Sequence, residues 1–110
     1  MGIGGTSFLV FRVRVHGLQK EPVERRYSDF QWLRSTLTKF YPSHVIPPIP
    51  DKKASKRTAL HIQKRMRILS MFMNDILKMP VILNNHYVEN FIMLKDSGKF
   101  EKLKEEVSEP

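Results

Sequence analysis

The first regular pattern along the chain is an alternation of apolar positions between residues 8 and 15. One face of this extended segment carries only apolar side chains: Leu9, Phe11, Val13 and Val15. A period of two predicts a β-strand with one buried face. A second, shorter strand is predicted from Val23 to Tyr27, after a turn at Gly17. We expect the two strands to form an antiparallel hairpin.

A helical period replaces the alternation from Phe30 onwards. The apolar side chains of this segment recur at intervals of three and four residues: Phe30, Leu33, Leu37 and Phe40. Ser28 and Gln31 fit a capping box, in which two side chains satisfy backbone donors at the start of a helix. The helix must end before Pro42 because proline lacks an N–H and blocks continuation. We therefore expect one amphipathic helix between these two signals.

A longer helix is predicted from Thr58, an acceptable N-cap, to Met79, because a proline follows directly. Its predicted core face consists of seven apolar residues at helical spacing: Ile62, Met66, Leu69, Phe72, Met73, Ile76 and Leu77. A third, short helix is expected after the Asn84–Asn85 pair. A charged helix or tail is expected from Lys99 to Glu106.

Between the first two helices, residues 46–50 contain three prolines. Because proline removes a backbone donor and fixes φ, this segment is predicted to run as an extended polyproline-II stretch. It fits either a stiff connector or a ligand for the aromatic-lined groove of a partner protein. The flanking Val45, Ile46 and Ile49 have the character of core anchors, which favours the connector.

The composition limits the chain to one domain and points to an anionic partner. The chain has 110 residues, of which 41% are hydrophobic, enough for a single packed core. The 19 Lys and Arg residues against 11 Asp and Glu residues give a formal net charge of +8. This charge fits an anionic membrane, a nucleic acid or an acidic protein. No apolar run approaches the roughly eighteen residues of a bilayer-spanning helix, so contact with a membrane would be made from water.

The sequence lacks the motifs that indicate catalysis. Its four histidines show no metal-ligand spacing, and there is neither a G-x-S-x-G elbow nor a Walker loop. The absence of cysteine excludes disulfides, thiolate metal sites and cysteine nucleophiles. We therefore expect a binding protein that is not an enzyme and has no catalytic residues, no metal site and no cofactor.

The predicted strand–helix junction holds two arginines and a tyrosine in succession: Arg25, Arg26 and Tyr27. An arginine fork donates two charge-assisted hydrogen bonds to a phosphate, and an aromatic ring packs on the flat face of a sugar or cyclitol. Side chains at such a junction are held in fixed directions. The same residues are equally compatible with a solvated basic pair beside a core tyrosine.

Arg65 shares the apolar stripe of the long helix with Leu69 and Phe72. A permanent charge at an inward position needs a partner. That partner is either a bound ligand or a local carboxylate such as Asp75 or Glu89. Snorkelling of the side chain along the apolar surface is a further solution. The residues alone leave these alternatives open.

Four basic residues lie within six positions just after the prolines: Lys52, Lys53, Lys56 and Arg57. The cluster fits a membrane-facing patch, in which each cation contributes about 1 kcal/mol at an anionic surface. It also fits a solvated loop, which is the usual role of a charge run. The net charge of +8 favours the membrane.

These motifs, in this order, resemble the phox-homology (PX) domain, and the sequence from Arg25 to Phe30 resembles its sorting-nexin branch. The resemblance extends from about Phe8 to Ile92, and it includes the hairpin, the proline-rich segment and the long helix. It implies an α+β fold. In this fold a small antiparallel three-stranded sheet packs against a helical subdomain of three to four helices with a proline-rich loop.

The resemblance also implies a pocket for a phosphoinositide headgroup. In the family, the second arginine of the motif holds the 3-phosphate, which gives this role to Arg26. The resemblance likewise implies that Tyr27 stacks under the inositol ring, that Lys52 meets the 1-phosphate and that Arg65 contacts the 4- and 5-hydroxyls. The residues expected to support the site or to face the membrane are Arg25, Lys53, Lys56, Arg57 and Leu60.

Two features depart from the family pattern. The first strand of the family precedes the glycine-rich turn at residues 2–5, so we expect that strand to be missing or truncated. The loop between Lys52 and Leu60 is basic and poor in large apolar residues, so we expect electrostatic adsorption with shallow insertion. The PX domain is expected to occupy residues 1–98. Residues 99–110 are expected to form a charged helix or tail that leads to further regions.

The function implied is binding of phosphatidylinositol 3-phosphate, which recruits a sorting-nexin-like trafficking protein to the cytosolic face of endosomal membranes. The expected partners are this lipid, an anionic membrane surface and proteins of a sorting complex. The alternative is a protein-interaction module that uses the proline-rich loop or a helical face and has weak lipid affinity. Nucleic-acid binding is not expected, because the aromatic residues lie at core spacing and are not interleaved with basic residues.

Overall fold

The computed structural model of the chain describes residues 10–18, 21–49 and 58–107. Within these ranges the chain forms two strands and five helices: β1 (Val10–Val13), β2 (Val23–Arg26), α1 (Tyr27–Phe40), α2 (Ala59–Leu77), α3 (Pro80–Leu83), α4 (His86–Met93) and α5 (Ser97–Glu105). This is the predicted α+β class, with a short antiparallel sheet beside a larger group of helices. The described part of the chain has five helices where the sequence predicts three to four.

The two strands pair antiparallel, with Phe11 directly opposite Arg25. Gly17 lies in the turn that follows β1, at a φ of 85°, a left-handed conformation that glycine adopts without steric cost. Where the sequence predicts a three-stranded sheet, the described residues contain two strands. The expectation of a missing or truncated first strand falls on residues 1–9, which lie outside the described residues.

Helix α1 begins two residues earlier than the predicted capping box implies. Its N-cap is Arg26, and the carboxylate of Asp29 accepts the Arg26 backbone N–H at 2.7 Å. The predicted pairing of Ser28 with Gln31 is therefore wrong. The Asp29 side chain accepts a hydrogen bond and also has a full negative charge near the positive end of the helix dipole. Gln31 is neutral and lacks this favourable charge.

Helix α2 is capped by Thr58 as predicted, since the Thr58 hydroxyl oxygen accepts the His61 backbone N–H at 3.3 Å. The fully buried residues of α2 lie in its second half: Leu69, Phe72, Met73 and Ile76. Met66, predicted in the core face, is 51% exposed because it precedes the turns of α2 that pack on the core. Phe40, predicted on the apolar stripe of α1, is 48% exposed and stacks on Tyr87.

The proline segment is held against α1 as far as the structure describes it. The Arg34 side chain donates hydrogen bonds to the backbone carbonyl oxygens of Pro47 at 2.9 Å and Ile46 at 3.4 Å. Ile46 is buried and Ile49 packs against the core. The prediction that Val45 anchors the core is wrong, because its side chain is 85% exposed. The contacts of Ile46, Pro47 and Ile49 favour the interpretation of this segment as a stiff connector.

Asn85 links the start of α4 to the end of α1. Its side-chain oxygen caps α4 by accepting the backbone N–H groups of Tyr87 at 2.8 Å and Val88 at 3.2 Å. Its side-chain nitrogen donates to the Tyr41 hydroxyl at 3.1 Å. Pro80 occupies the first turn of α3, where a helix needs no backbone N–H.

Phe30 lies in an aromatic cluster that joins the sheet to the helices. Its ring centroid is 6.2 Å from that of Phe11 and 5.1 Å from that of Phe91, both in edge-to-face geometry. Phe100 of α5 extends the cluster, with its centroid 6.0 Å from that of Phe91. Phe100 and Leu103 are both buried. Helix α5 is therefore packed on the core, beside the junction of β2 with α1.

Candidate functional site

Strand β2 ends at Arg26 and helix α1 begins at the next residue, Tyr27, with no intervening loop. Both side chains are therefore attached to regular elements that hold their directions. Tyr27 is buried, whereas the Arg26 side chain is 42% exposed. A guanidinium at such an edge can meet an anion that arrives from solvent, and its planar fork suits a phosphate.

Arg65 of α2 stacks on the ring of Tyr27. The guanidinium carbon of Arg65 lies 4.0 Å from the ring centroid, within the range of a cation–π interaction. The Tyr27 ring is therefore a partner for the positive charge of Arg65, which the helical pattern places on the inward face of α2. The structure thus places Arg65 of α2 on the ring of Tyr27, the first residue of α1, which directly follows Arg26 at the end of β2.

Of the five remaining predicted site residues, the structure describes only Leu60. Lys52, Lys53, Lys56 and Arg57 lie outside the described residues. Leu60 lies in the first turn of α2 and is 59% exposed. The roles expected for these five residues stay predictions: Lys52 in the headgroup pocket, and the others in support of the site or at the membrane.

Helix α5 adds two charged residues to the junction. The Lys104 Nζ atom lies 2.5 Å from Asp29 Oδ1 and 3.0 Å from Glu101 Oε2. The Arg26 Nη2 atom lies 3.5 Å from the same Glu101 oxygen. Two cations and two carboxylates therefore form one connected network beside the N-terminus of α1.

Sequence reasoning missed Glu101 and Lys104, because the segment from Lys99 to Glu106 has the composition of a charged tail. A signal was nevertheless present in the pattern. Phe100 and Leu103 lie three positions apart, which is the spacing of a helix face that packs on a core. A helix that packs on the core through Phe100 and Leu103 also brings their neighbours, Glu101 and Lys104, close to the rest of the domain.

Arg25 lies in the core and does not face a membrane, so of the two roles expected for it, membrane contact and support of the site, only support fits its position. It is only 2% exposed. Its guanidinium donates hydrogen bonds to the backbone carbonyl oxygens of four residues: Glu24 at 2.9 Å, Asn90 at 3.1 Å, Phe91 at 2.9 Å and Leu94 at 2.5 Å. Arg25 is therefore a structural residue that ties β2 to the end of α4.

The alternation of side chains along β2 explains why Arg25 is buried. Val23 and Arg25 point to the core, whereas Glu24 and Arg26 point away from it. The inward guanidinium meets the C-terminal end of α4, where carbonyl oxygens lack helical N–H partners and the helix dipole is negative. The guanidinium carbon also lies 3.8 Å from the ring centroid of Phe100.

Burial shifts the pKa of Arg25. Desolvation lowers the pKa of Arg25 to about 10, while the carboxylates of Asp29 and Glu101 act in the opposite direction. The guanidinium still has its positive charge at neutral pH. Its hydrogen bonds to the four carbonyl oxygens are therefore charge-assisted, and they are stronger than bonds between neutral groups.

An open groove of 840 Å³ lies beside Arg26, and its lining includes both basic and acidic side chains, among them Arg12, Glu24 and Glu101. In the described ranges, no cluster of histidine and carboxylate side chains has the geometry to hold a metal ion. No helix in those ranges is both long enough and apolar enough to cross a bilayer.

The family model of the PX domain matches residues 13–95 of the chain. This chain belongs to the PX domain family. The matched span contains β2, α1 and α2, and with them Arg26, Tyr27 and Arg65. It ends before α5, so Glu101 and Lys104 lie beyond the part of the chain that the family model covers.

Sorting nexins are among the curated proteins similar to this PX domain. Sorting nexin-30 from Homo sapiens is 34% identical over an alignment of 107 residues that covers 87% of this chain and 24% of that protein. Sorting nexin MVP1 from Saccharomyces cerevisiae is 39% identical over an alignment of 79 residues that covers 70% of this chain and 16% of that protein. The chain is thus a PX domain of the sorting-nexin type, and it spans about a quarter or less of these relatives.

A solved structure is similar to most of this PX domain. It is the X-ray structure of a designed CISK-PX domain, which superimposes with a TM-score of 0.74 at 31% sequence identity. The similarity covers 84% of this chain and 90% of the designed domain. It confirms the predicted PX fold, in which a small antiparallel sheet packs against several helices.

The geometry of Arg25 predicts that Arg25→Lys destabilises the PX domain although the charge is kept. A lysine ammonium cannot reproduce the fork that reaches four carbonyl oxygens, so buried acceptors lose their donors. We expect the free energy of unfolding to fall by about 2 to 4 kcal/mol. Urea denaturation followed by circular dichroism measures this change.

The matched control is Arg12→Lys, which makes the same exchange at an exposed position of the neighbouring strand. We expect it to change the free energy of unfolding by less than about 0.5 kcal/mol. Equal stability of the Arg25 and Arg12 variants would contradict the structural role of Arg25.

Proposed function

We propose that this PX domain binds phosphatidylinositol 3-phosphate and recruits a sorting-nexin-type trafficking protein to endosomal membranes. The observation on which the proposal rests is the contact of Arg65 with the ring of Tyr27, directly after Arg26 at the junction of β2 and α1. Each of these residues also has the position that the family resemblance gives to a headgroup contact. The proposed role is non-catalytic.

In the proposed complex, Arg26 receives the 3-phosphate. Its side chain emerges at the end of β2 and is 42% exposed, so a phosphate reaches it from solvent. The backbone N–H of Arg26 is bonded to Asp29, which fixes the start of the helix beneath it. A guanidinium on a fixed backbone donates two parallel hydrogen bonds to phosphate with little loss of conformational freedom.

In the same complex, Tyr27 and Arg65 act as one unit. Arg65 lies over the ring of Tyr27 with 4.0 Å between guanidinium carbon and ring centroid. The cation–π contact holds the planar guanidinium over the ring and leaves donors at its edge for the hydroxyls of an inositol ring. The proposed readers of the headgroup are Arg26, which directly precedes Tyr27 in the chain, and Arg65, which lies over the ring of Tyr27.

Membrane adsorption is proposed to be electrostatic. The chain has a net charge of +8, and Lys52, Lys53, Lys56 and Arg57 follow the proline segment directly. Lys52 is proposed to meet the 1-phosphate, while the other three interact with the anionic surface. Leu60, which is 59% exposed in the first turn of α2, is proposed to insert shallowly.

The parent protein is proposed to work in membrane trafficking on the cytosolic face of endosomes, as a peripheral protein with partners in a sorting complex. This proposal rests on the names of the sorting nexins to which the chain is similar. The alternative, a protein-interaction module with weak lipid affinity, is an outcome of the lipid-binding test described next.

The first prediction from the proposed function is that Arg26→Ala abolishes selective binding to vesicles that contain phosphatidylinositol 3-phosphate while the fold is kept. Loss of a bidentate contact to phosphate costs about 2 to 5 kcal/mol, which is more than tenfold in affinity. Sedimentation with vesicles that contain each phosphoinositide, or phosphatidylserine alone, measures the effect at two salt concentrations.

The control for Arg26 is Lys39→Ala, which removes one positive charge at the far, exposed end of α1. We expect this variant to keep the lipid preference of the wild type. If Arg26→Ala binds as selectively as Lys39→Ala, the pocket assignment is wrong. If the wild type does not distinguish any phosphoinositide from phosphatidylserine, the protein-interaction alternative replaces the proposed function.

The second prediction is that Arg65→Lys folds normally yet binds the headgroup more weakly. Lysine keeps the charge but loses the planar stacking on Tyr27 and the fork of donors, so we expect a loss of about 1 to 3 kcal/mol in binding. Calorimetric titration with short-chain phosphatidylinositol 3-phosphate measures this loss, and a thermal melt measures stability. The control, Arg67→Lys, makes the same exchange at an exposed position of α2. A lowered melting temperature with unchanged affinity would leave Arg65 with a packing role only.

A further inference from the structure

One carboxylate oxygen at the junction has two cationic neighbours from different elements. Glu101 Oε2 lies 3.0 Å from Lys104 Nζ and 3.5 Å from Arg26 Nη2. Arg26 comes from the end of β2, whereas Lys104 comes from α5. An arginine and a lysine that converge on one oxygen atom can also make charge-assisted hydrogen bonds to a phosphate oxygen.

The two carboxylates of the network differ in how firmly they are held. Asp29 is 4% exposed and bonds both the Arg26 backbone N–H and the Lys104 ammonium, so it is a fixed part of the junction. The Glu101 side chain is 50% exposed. Ion pairs at such exposed positions are weak, because water competes for both charges and the side chain loses freedom on pairing. Glu101 is therefore the exchangeable anion of the network.

Lys104 is held more firmly than an exposed surface lysine. Its side chain is only 15% exposed, and its ammonium is anchored by Asp29 at 2.5 Å. When the carboxylate of Glu101 leaves, this anchor keeps the ammonium beside Arg26. A phosphate monoester has three acceptor oxygens and a charge of about −1.5 to −2 at pH 7. It therefore attracts the two cations more strongly than one carboxylate does.

We propose that Glu101 occupies the position of a phosphate oxygen, and that Lys104 becomes a further ligand of the phosphate that displaces it. The ligand class is a phosphate monoester dianion. The proposal rests on the proposed function, in which Arg26 receives the 3-phosphate of the headgroup. Glu101 and Lys104 both lie on α5, beyond the span of residues 13–95 that matches the family model.

Because Glu101 must be displaced, the site favours anions that have two negative charges over anions that have one. Displacement of Glu101 costs an ion pair with each cation, so an anion with a single charge gains little by replacing it. A dianion gains binding free energy, because it contacts both Arg26 and Lys104 while Glu101 moves into water. The open groove of 840 Å³ beside Arg26 provides the space into which the displaced side chain can turn. Glu101 thus raises selectivity for a phosphate monoester over the phosphodiesters and carboxylates of ordinary anionic lipids.

The decisive variant is Glu101→Gln, which removes the competing charge and keeps the size of the side chain. We expect it to bind soluble inositol 1,3-bisphosphate about two- to fivefold more tightly than the wild type, the range that an exposed ion pair can offset. Glu105→Gln is the matched control, since it makes the same change of charge at an exposed position of the same helix. We expect the control to bind with about the wild-type Kd.

The role of Lys104 is tested in the Glu101→Gln background, where the competing carboxylate is absent. Adding Lys104→Gln is expected to weaken binding of inositol 1,3-bisphosphate about tenfold, as for loss of a charge-assisted contact. Adding Lys102→Gln, at an exposed position, is expected to have little effect. A lower melting temperature with an unchanged Kd in the Lys104 variant would overturn its role as a ligand.

A titration with inorganic phosphate separates this inference from the proposed function. The backbone amide signals of Arg26 and Lys104 in nuclear magnetic resonance spectra report the binding. If Glu101→Gln binds phosphate more tightly than Glu105→Gln, the anion site is supported even where wild-type protein fails to select 3-phosphoinositide vesicles, a result that overturns the lipid function alone. If the two variants bind phosphate and inositol 1,3-bisphosphate equally, the inference is wrong while the lipid function is untouched.

Discussion

The burial of the Arg25 guanidinium is the interaction on which the geometry of the site depends. Its charge-assisted bonds to carbonyl oxygens at the end of α4 fix the rotation of β2 about its own axis. Because successive residues of a strand point to opposite sides, Arg25 inside requires Arg26 outside. Tyr27 then begins α1 directly, and its ring meets Arg65. A buried charge, normally costly, thereby sets the direction of the exposed arginine next to it.

Much of the fold follows from local signals in the sequence. The alternation before Gly17, the helical period after Phe30 and the caps Thr58 and Asn85 all correspond to elements of the structure. These signals depend on backbone chemistry within a few residues, so they can be recognised without knowledge of the tertiary structure. The exposure of Met66 could not be predicted in this way, because it depends on where α2 leaves the core.

The candidate site was predictable only in part, for a physical reason. A motif and a helical stripe point to Arg26 and Arg65, because strand–helix junctions and inward charges are visible in a sequence. The burial of Arg25 depends on the end of α4, which lies more than sixty residues away in the chain. The pairing of Glu101 with Arg26 likewise joins α5 to β2. Contacts between such distant positions leave no periodicity in either segment.

The central claim is that Arg26 and Arg65 read one headgroup while Arg25 holds the structure. Nuclear magnetic resonance of the arginine Nε–Hε groups during titration with short-chain phosphatidylinositol 3-phosphate tests it most directly. The account predicts that the Arg26 and Arg65 signals shift together and saturate at the same lipid concentration, while the Arg25 signal changes little. Small shifts spread over exposed arginines such as Arg12 and Arg67, without saturation at Arg26 and Arg65, would contradict it.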